Sequence, residues 1–287
     1  MLDYIILTDS GSDLTLEQAK ELDISLIDLS LIVEDSEPKK NRDVDVKEFY
    51  AILREKKSAS TAAVNIGDFL AAMSEELEAG KDVLYLGFSS GLSSTYSAGY
   101  NAAQELTEKY PDRKIYTVDT LCASLGQGLL VYLAAKLRLE GKSIEEVRDF
   151  VEQNKLNLCH WFTVDDLFFL KRGGRVGAAT AVVGTMLGIK PVMHVDNEGK
   201  LVKVTTARGR RASIDALAAK IGEQGINPAD QTMFICHGDC IEDAEYLAEK
   251  IKSDYGVKEV VIGYTGVVIG SHSGPGTLAL FFLGTER

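Results

Sequence analysis

The chain alternates short apolar runs with longer stretches of helical periodicity. Residues 4–7 form the first apolar run, short and bounded by polar residues, as a buried strand is. The polar loop Thr8-Asp9-Ser10-Gly11-Ser12-Asp13 follows, and Thr15 with Gln18 makes a capping box for a helix to about residue 22. Residues 24–33 alternate loosely and predict one strand. A helix is expected over 45–57, with Glu48 placed for a second capping box. A loop of small residues then covers 58–65, and another helix covers 66–79. Residues 83–87 predict a buried strand that runs into Phe88-Ser89-Ser90-Gly91-Leu92-Ser93-Ser94-Thr95 and a helix to about 110. A strand over 114–118 and helices over 123–140 and 143–154 complete this half. Strands and helices alternating at this spacing indicate a mainly parallel sheet with flanking helices.

The pattern changes beyond residue 155. Residues 161–170 lead into Lys171-Arg172-Gly173-Gly174-Arg175, and small apolar residues fill 176–188. Two β-like runs, 189–195 and 200–205, flank Asp196-Asn197-Glu198-Gly199, which predicts a hairpin and so antiparallel pairing. A helix (210–222), a strand (233–236), a helix (242–255) and a strand (260–264) follow. Gly266 to Gly276 reads as a tightly shaped loop of glycines and a proline around His272. There is no internal repeat and no low-complexity linker. The expected architecture is a two-domain α/β fold. Residues 1–155 form the first domain on a mainly parallel sheet, and residues 156–287 form a second α/β domain with a mixed sheet packed directly against it.

Composition narrows the function. No run reaches the roughly 18 apolar residues that span a bilayer, and Asp3 stands where a signal peptide would be positive. A cytoplasmic protein without stable membrane insertion is expected. The net charge of −12, from 31 basic and 43 acidic side chains, argues against nucleic acid as a partner. The four cysteines, Cys122, Cys159, Cys236 and Cys240, include no C-x-x-C pair and are expected as small core hydrophobes. Phosphate-loop and dinucleotide glycine motifs are missing, and no His/Cys/carboxylate group has metal-ligand spacing, so no cofactor and no metal are expected.

Ligands of parallel sheets collect beyond the carboxyl ends of the strands. The loops there carry Asp9-Ser10, the five hydroxyls of residues 89–95, and Asp119-Thr120. A strand-to-helix junction rich in hydroxyls suits an anion, and serines there also serve as plain helix caps; both readings stand. Gly87-Phe88-Ser89-Ser90-Gly91 matches the G-x-S-x-G elbow, with Asp239 and His272 following in α/β-hydrolase order, though no H-G-G-G-type oxyanion loop precedes it.

Taken together, Thr8-Asp9-Ser10 with Asp13-Leu14, Ser90-Gly91-Leu92-Ser93-Ser94-Thr95-Tyr96, Leu170 to Arg175, Lys190-Pro191, Arg208-Gly209-Arg210 and Gly270 to Gly276 resemble the DegV family, in order and over essentially the whole chain. The resemblance implies a fatty-acid-binding protein with no chemistry of its own, which holds one acyl chain between two α/β domains. Some members serve as the binding subunit of bacterial fatty acid kinase, in which a separate ATP-using subunit converts the carboxylate to an acyl phosphate for phospholipid synthesis. The family's carboxylate contacts fall on Thr61, Ser93 and His272, with Ser94, Thr95, Gly270 and Ser271 nearby. The family's T-S-Q-P-S-like loop reads Thr61-Ala62-Ala63-Val64-Asn65 here, so the threonine is kept and its polar neighbours are not. Lys171, Arg172, Arg175, Arg208 and Arg210 are candidates for a basic surface that docks the kinase subunit or positions phosphate, on a protein expected to be monomeric. The small residues near 178–188 suit either room for an alkyl chain or close helix packing; burial of such a chain contributes about 0.8 kcal/mol per CH₂. The alternatives are a serine hydrolase using Ser89 and a regulatory binder of another carboxylate ligand.

Overall fold

The computed structural model describes residues 3–34, 36–176 and 188–287. The small apolar residues near 178–188, and the acyl-chain role given to them, lie almost wholly outside the described residues.

Strand β1 (Tyr4–Asp9) is buried at all six positions, which is why its sequence shows an apolar run rather than alternation. It lies inside a four-stranded parallel sheet of order β2–β1–β6–β7, with β2 (Ile24–Ile27), β6 (Asp82–Gly87) and β7 (Ile115–Asp119). Helices α1 (Leu16–Glu21), α3 (Ile66–Glu78), α4 (Thr95–Lys109), α5 (Ser124–Leu139) and α6 (Ile144–Asn154) connect and cover it, and α2 (Val46–Arg54) lies further out. The capping box of Thr15 with Gln18 is complete, as is that of Ser143 with Glu146. Asp45 makes only half of one, accepting from the Glu48 amide.

Residues 24–33 are two strands in two sheets, not one strand. The chain breaks at Asp28 and Leu29, where the Ser10 hydroxyl accepts from the Leu29 amide at 3.0 Å and Asp28 pairs with Arg42. Beyond the break, β3 (Ser30–Val33) joins a small antiparallel sheet, β4–β3–β5, with β4 (Lys39–Lys40) and β5 (Ala59–Ala62). The segment expected as a loop over 58–65 therefore contains a strand. Its small, half-buried side chains carry little hydrophobic signal.

A six-stranded mixed sheet has the order β10–β9–β8–β13–β11–β12. It comprises β8 (Leu158–Thr163), β9 (Ile189–Val195), β10 (Leu201–Arg208), β11 (Thr232–His237), β12 (Glu259–Tyr264) and β13 (Leu278–Leu283). The β9–β10 hairpin forms as expected, with Val195 opposite Leu201. Strand β13, which the sequence pattern does not reveal, runs antiparallel between β8 and β11. Helices α7 (Leu167–Arg172), α8 (Arg210–Gln224), α9 (Ile241–Tyr255) and α10 (Val267–Ser273) accompany this sheet.

Helix α10 corrects the expected loop around His272. It ends at Gly274, whose φ of 81° is open to glycine and strained for other residues. Gly270 lies inside the helix because a Cβ there would stand 2.5 Å from the Tyr50 hydroxyl oxygen. Gly270 thus marks close packing, while Gly274 marks the turn that ends the helix.

Strands β1–β7 precede residue 155 and β8–β13 follow it. One apolar cluster nonetheless spans both large sheets, joining Ile6 and Leu84 through Leu129 and Leu130 of α5 to Phe162, Phe234 and Phe281. No described helix is long and apolar enough to cross a membrane. Among the described residues no group of three or more His, Cys, Asp or Glu is placed to hold a metal.

Candidate functional site

A cavity of about 250 Å³ lies where the parallel sheet, the small sheet and the mixed sheet meet. A packed interior leaves few voids larger than one water, so a space of this size is a feature of the fold. Most of its wall is apolar: Phe88 and Leu92 from the β6–α4 loop, Ala123 before α5, Phe162 and Phe281 from the mixed sheet, and Val268 and Ile269 from α10. Thr61, Ser93, Ser94, Ser124, Arg175, His272 and Ser273 are among its polar lining residues.

Thr61 is placed by the small sheet, opposite Leu31. Its Oγ1 lies 2.9 Å from Nε2 of His272, in the last turn of α10 and 211 residues away in sequence. Ser93 is held at the start of α4. Its Oγ accepts from the Thr95 amide at 3.2 Å and lies 2.9 Å from Thr95 Oγ1, while Ser94, at the cap position, makes no side-chain cap bond. Ser93 is thus both a helix cap and part of the cavity wall. Thr95 is buried behind it.

His272 is pushed down to about 4, chiefly by burial and then by the nearby Arg175 and Arg172 charges. The ring is neutral at pH 7. Its Nδ1 is buried without a hydrogen-bond partner among the described residues, packed against Gly173, where a side chain would collide with it. A lone acceptor costs less there than a lone donor, so the favoured tautomer puts the proton on Nε2, directed at Thr61 Oγ1. The Thr61 hydroxyl is then free to donate into the cavity.

A buried carboxyl sets the other side of this loop. Asp9, at the end of β1, accepts from the Gly11 amide (3.0 Å), the Phe88 amide (2.9 Å) and the Tyr85 hydroxyl (2.8 Å). These bonds tie the β1 loop to the first residue after β6, which is where the cavity wall begins. Burial pushes the Asp9 carboxyl up, and the three donors oppose that shift.

Other sequence candidates are placed apart. Gly270 and Ser271 stand outside the lining: Gly270 faces Tyr50, and the Ser271 hydroxyl donates to the Val268 carbonyl at 2.8 Å. Of the five basic candidates, Arg175 alone reaches the cavity wall, where its Nε donates to the Leu92 carbonyl at 3.2 Å. Arg172 lies over the rings of Phe168 and Phe169. Arg210 is committed to Asp243, with Asp165 3.7 Å away, while Lys171 and Arg208 are exposed. Ser89, Asp239 and His272 are not brought together. Ser89 is buried and donates to the Gly199 carbonyl at 2.8 Å, Asp239 pairs with Arg54, and His272 meets Thr61. A serine nucleophile needs its base within hydrogen-bond reach, and among the described residues Ser89 Oγ bonds only the Gly199 carbonyl and the Gly91 amide.

Ser124 and Ser273 were not singled out by the sequence. Ser124 opens α5 with a positive φ of 55° and donates to Asp13. The only sequence sign at Ser273 is its place beside His272.

The fold and site define an α/β protein of three sheets, with a largely apolar cavity at their junction and hydroxyls, an imidazole and Arg175 among the polar groups in its wall. The sequence model of the DegV family matches residues 4–285, and the chain belongs to the DegV family. It is 48% identical to a DegV domain-containing protein of Clostridium perfringens, over 100% of this chain and 99% of that one. Among solved structures, a fatty-acid-binding DegV family protein from Thermus thermophilus superimposes with a TM-score of 0.87 at 30% identity, covering 98% of this chain and 99% of the other. DegV of Bacillus subtilis, a fatty acid binding protein, gives 0.85 at 28% identity, covering 99% and 100%.

Proposed function

We propose that this protein binds a long-chain fatty acid, with its carboxylate at Thr61, Ser93 and His272 and its acyl chain along the apolar wall. The observation that carries this reading is the convergence of those three residues, from β5, the β6–α4 loop and α10, on one largely apolar cavity of about 250 Å³. Fatty-acid binding by the relatives from Thermus thermophilus and Bacillus subtilis supports it. The donors at the head are hydroxyls and a neutral imidazole, and Arg175, in the same wall, is held by backbone carbonyls rather than by a carboxylate. A carboxylate bound there stays ionised, as a phosphoryl acceptor must be. This suits presentation of the fatty acid to a separate kinase subunit for acyl-phosphate formation, with the exposed Lys171, Arg172 and Arg208 and the cavity-edge Arg175 as the docking or phosphate-positioning surface.

Organic extraction of the purified protein followed by mass spectrometry tests the binding step. The expected result is a long-chain fatty acid near one equivalent, either as purified or after loading with palmitate and removal of excess. No acyl chain under either condition overturns the reading.

A further inference from the structure

Helix α10 presents two adjacent ridges to the cavity, Val268 with His272 and Ile269 with Ser273. Residues 272 and 273 are consecutive in its last turn, about 1.5 Å apart along the axis and about 100° apart around it. Both side chains line the cavity. Neighbouring hydroxyls are satisfied within the protein: Ser271 bonds the Val268 carbonyl and Thr277 bonds the Gly274 carbonyl, both at 2.8 Å. Ser273 is different. It is only 5% exposed, and its Oγ has no hydrogen-bond partner among the described residues. Leaving a buried hydroxyl unpaired is unfavourable, so each such group calls for an explanation.

Donor counting at the head of the cavity supplies one. An ionised carboxylate offers about four acceptor positions on two oxygens. His272 and Thr61 already spend one hydrogen on each other, which leaves the Thr61 hydroxyl. Ser93 shares its hydroxyl with Thr95. That leaves two hydroxyls free to donate, Thr61 and Ser273, and Ser273 has no partner among the described residues.

We infer that Ser273 is a further carboxylate-binding residue, donating to the ligand oxygen that Thr61 does not take. The assignment rests on the fatty-acid reading above. It distinguishes acids from neutral lipids, because a charge-assisted hydrogen bond is stronger than a neutral one.

The test is Ser273→Ala, with palmitate and hexadecan-1-ol each titrated against a bound fluorescent fatty acid. Palmitate should bind about tenfold more weakly to the variant, the loss of one hydrogen bond to a charged group, while hexadecan-1-ol stays within about twofold. The thermal midpoint of the lipid-free variant should equal or exceed that of the unmodified protein, since the change removes a hydroxyl with no partner. Unchanged palmitate affinity, or equal loss for both ligands, overturns the assignment. An unmodified protein that binds palmitate no better than the alcohol removes the parent reading and the role of Ser273 with it.

Discussion

His272 is the residue whose environment most constrains the site. In the unfolded chain its imidazole titrates near 6.5; in the folded protein burial and two arginines push it down to about 4. Below pH 6.5 the unfolded chain takes up a proton that the folded chain resists. The folded state therefore loses stability as pH falls from 6.5 towards 4, by on the order of 2–3 kcal/mol from this group. His160, His194 and His237 are also pushed down, whereas Asp9 and Asp13 are pushed up and act in the opposite direction, so a bare acid titration mixes the contributions. Comparison with His272→Gln isolates this residue. Urea unfolding at pH 7 and pH 5 should show the stability difference moving in favour of the variant as pH drops; a difference independent of pH contradicts the assignment. Thr61, Ser93 and His272 come from the family resemblance, and all three line the cavity, although the neighbours of Thr61 depart from the family's loop. Ser273 is not legible in the sequence, because the state of its hydroxyl is set by contacts that no local pattern encodes.

Helix α10 carries both His272 and Ser273, and its position depends on contacts made by its glycines. Gly270 packs on Tyr50, whose hydroxyl donates to the Thr265 carbonyl just ahead of the helix. Gly270→Ala would place a methyl group 2.5 Å from that hydroxyl, and such overpacking costs about 1–3 kcal/mol. The expected outcome is a lower unfolding midpoint together with weaker fatty-acid binding, although Gly270 does not line the cavity; ligand titration and thermal unfolding of the same sample check both. Unchanged affinity would show that the helix holds its place without this contact. Long, periodic elements such as α3, α5 and α9 were readable from their amphipathic or apolar pattern and caps. Helix α10, seven residues with an internal glycine, read as a loop. Strand β13 is a continuous apolar run like β1 and β6, but no helical pattern follows it to mark a strand–helix unit. The single strand expected over 24–33 is divided by the Ser10–Leu29 and Arg42–Asp28 contacts, both of which are tertiary.

The cavity lies where three sheets meet, so its volume belongs to the assembled molecule. Ala279 of β13 lines it and is 5% exposed. Ala279→Leu puts three more carbons into space that a ligand would otherwise fill. The lipid-free protein should gain about 1–2 kcal/mol from the added apolar burial, while acids recovered by extraction shift to shorter chains or lower occupancy. Unfolding of the delipidated protein and mass spectrometry of the extract measure the two effects; higher stability with unchanged ligand content would place the acyl chain elsewhere. The parallel and mixed sheets were readable as classes, since strand–helix alternation and a hairpin signal are local. The junction was not, because it is closed by pairings such as Thr61 with His272.

Carbon-13 NMR of the protein loaded with palmitate labelled at the carboxyl carbon tests the central claim most directly. The account predicts one bound carboxyl resonance, resolved from free palmitate, that shifts or disappears in Thr61→Val, in Ser93→Ala and in His272→Ala. A bound resonance insensitive to all three substitutions, or no bound resonance at all, contradicts it.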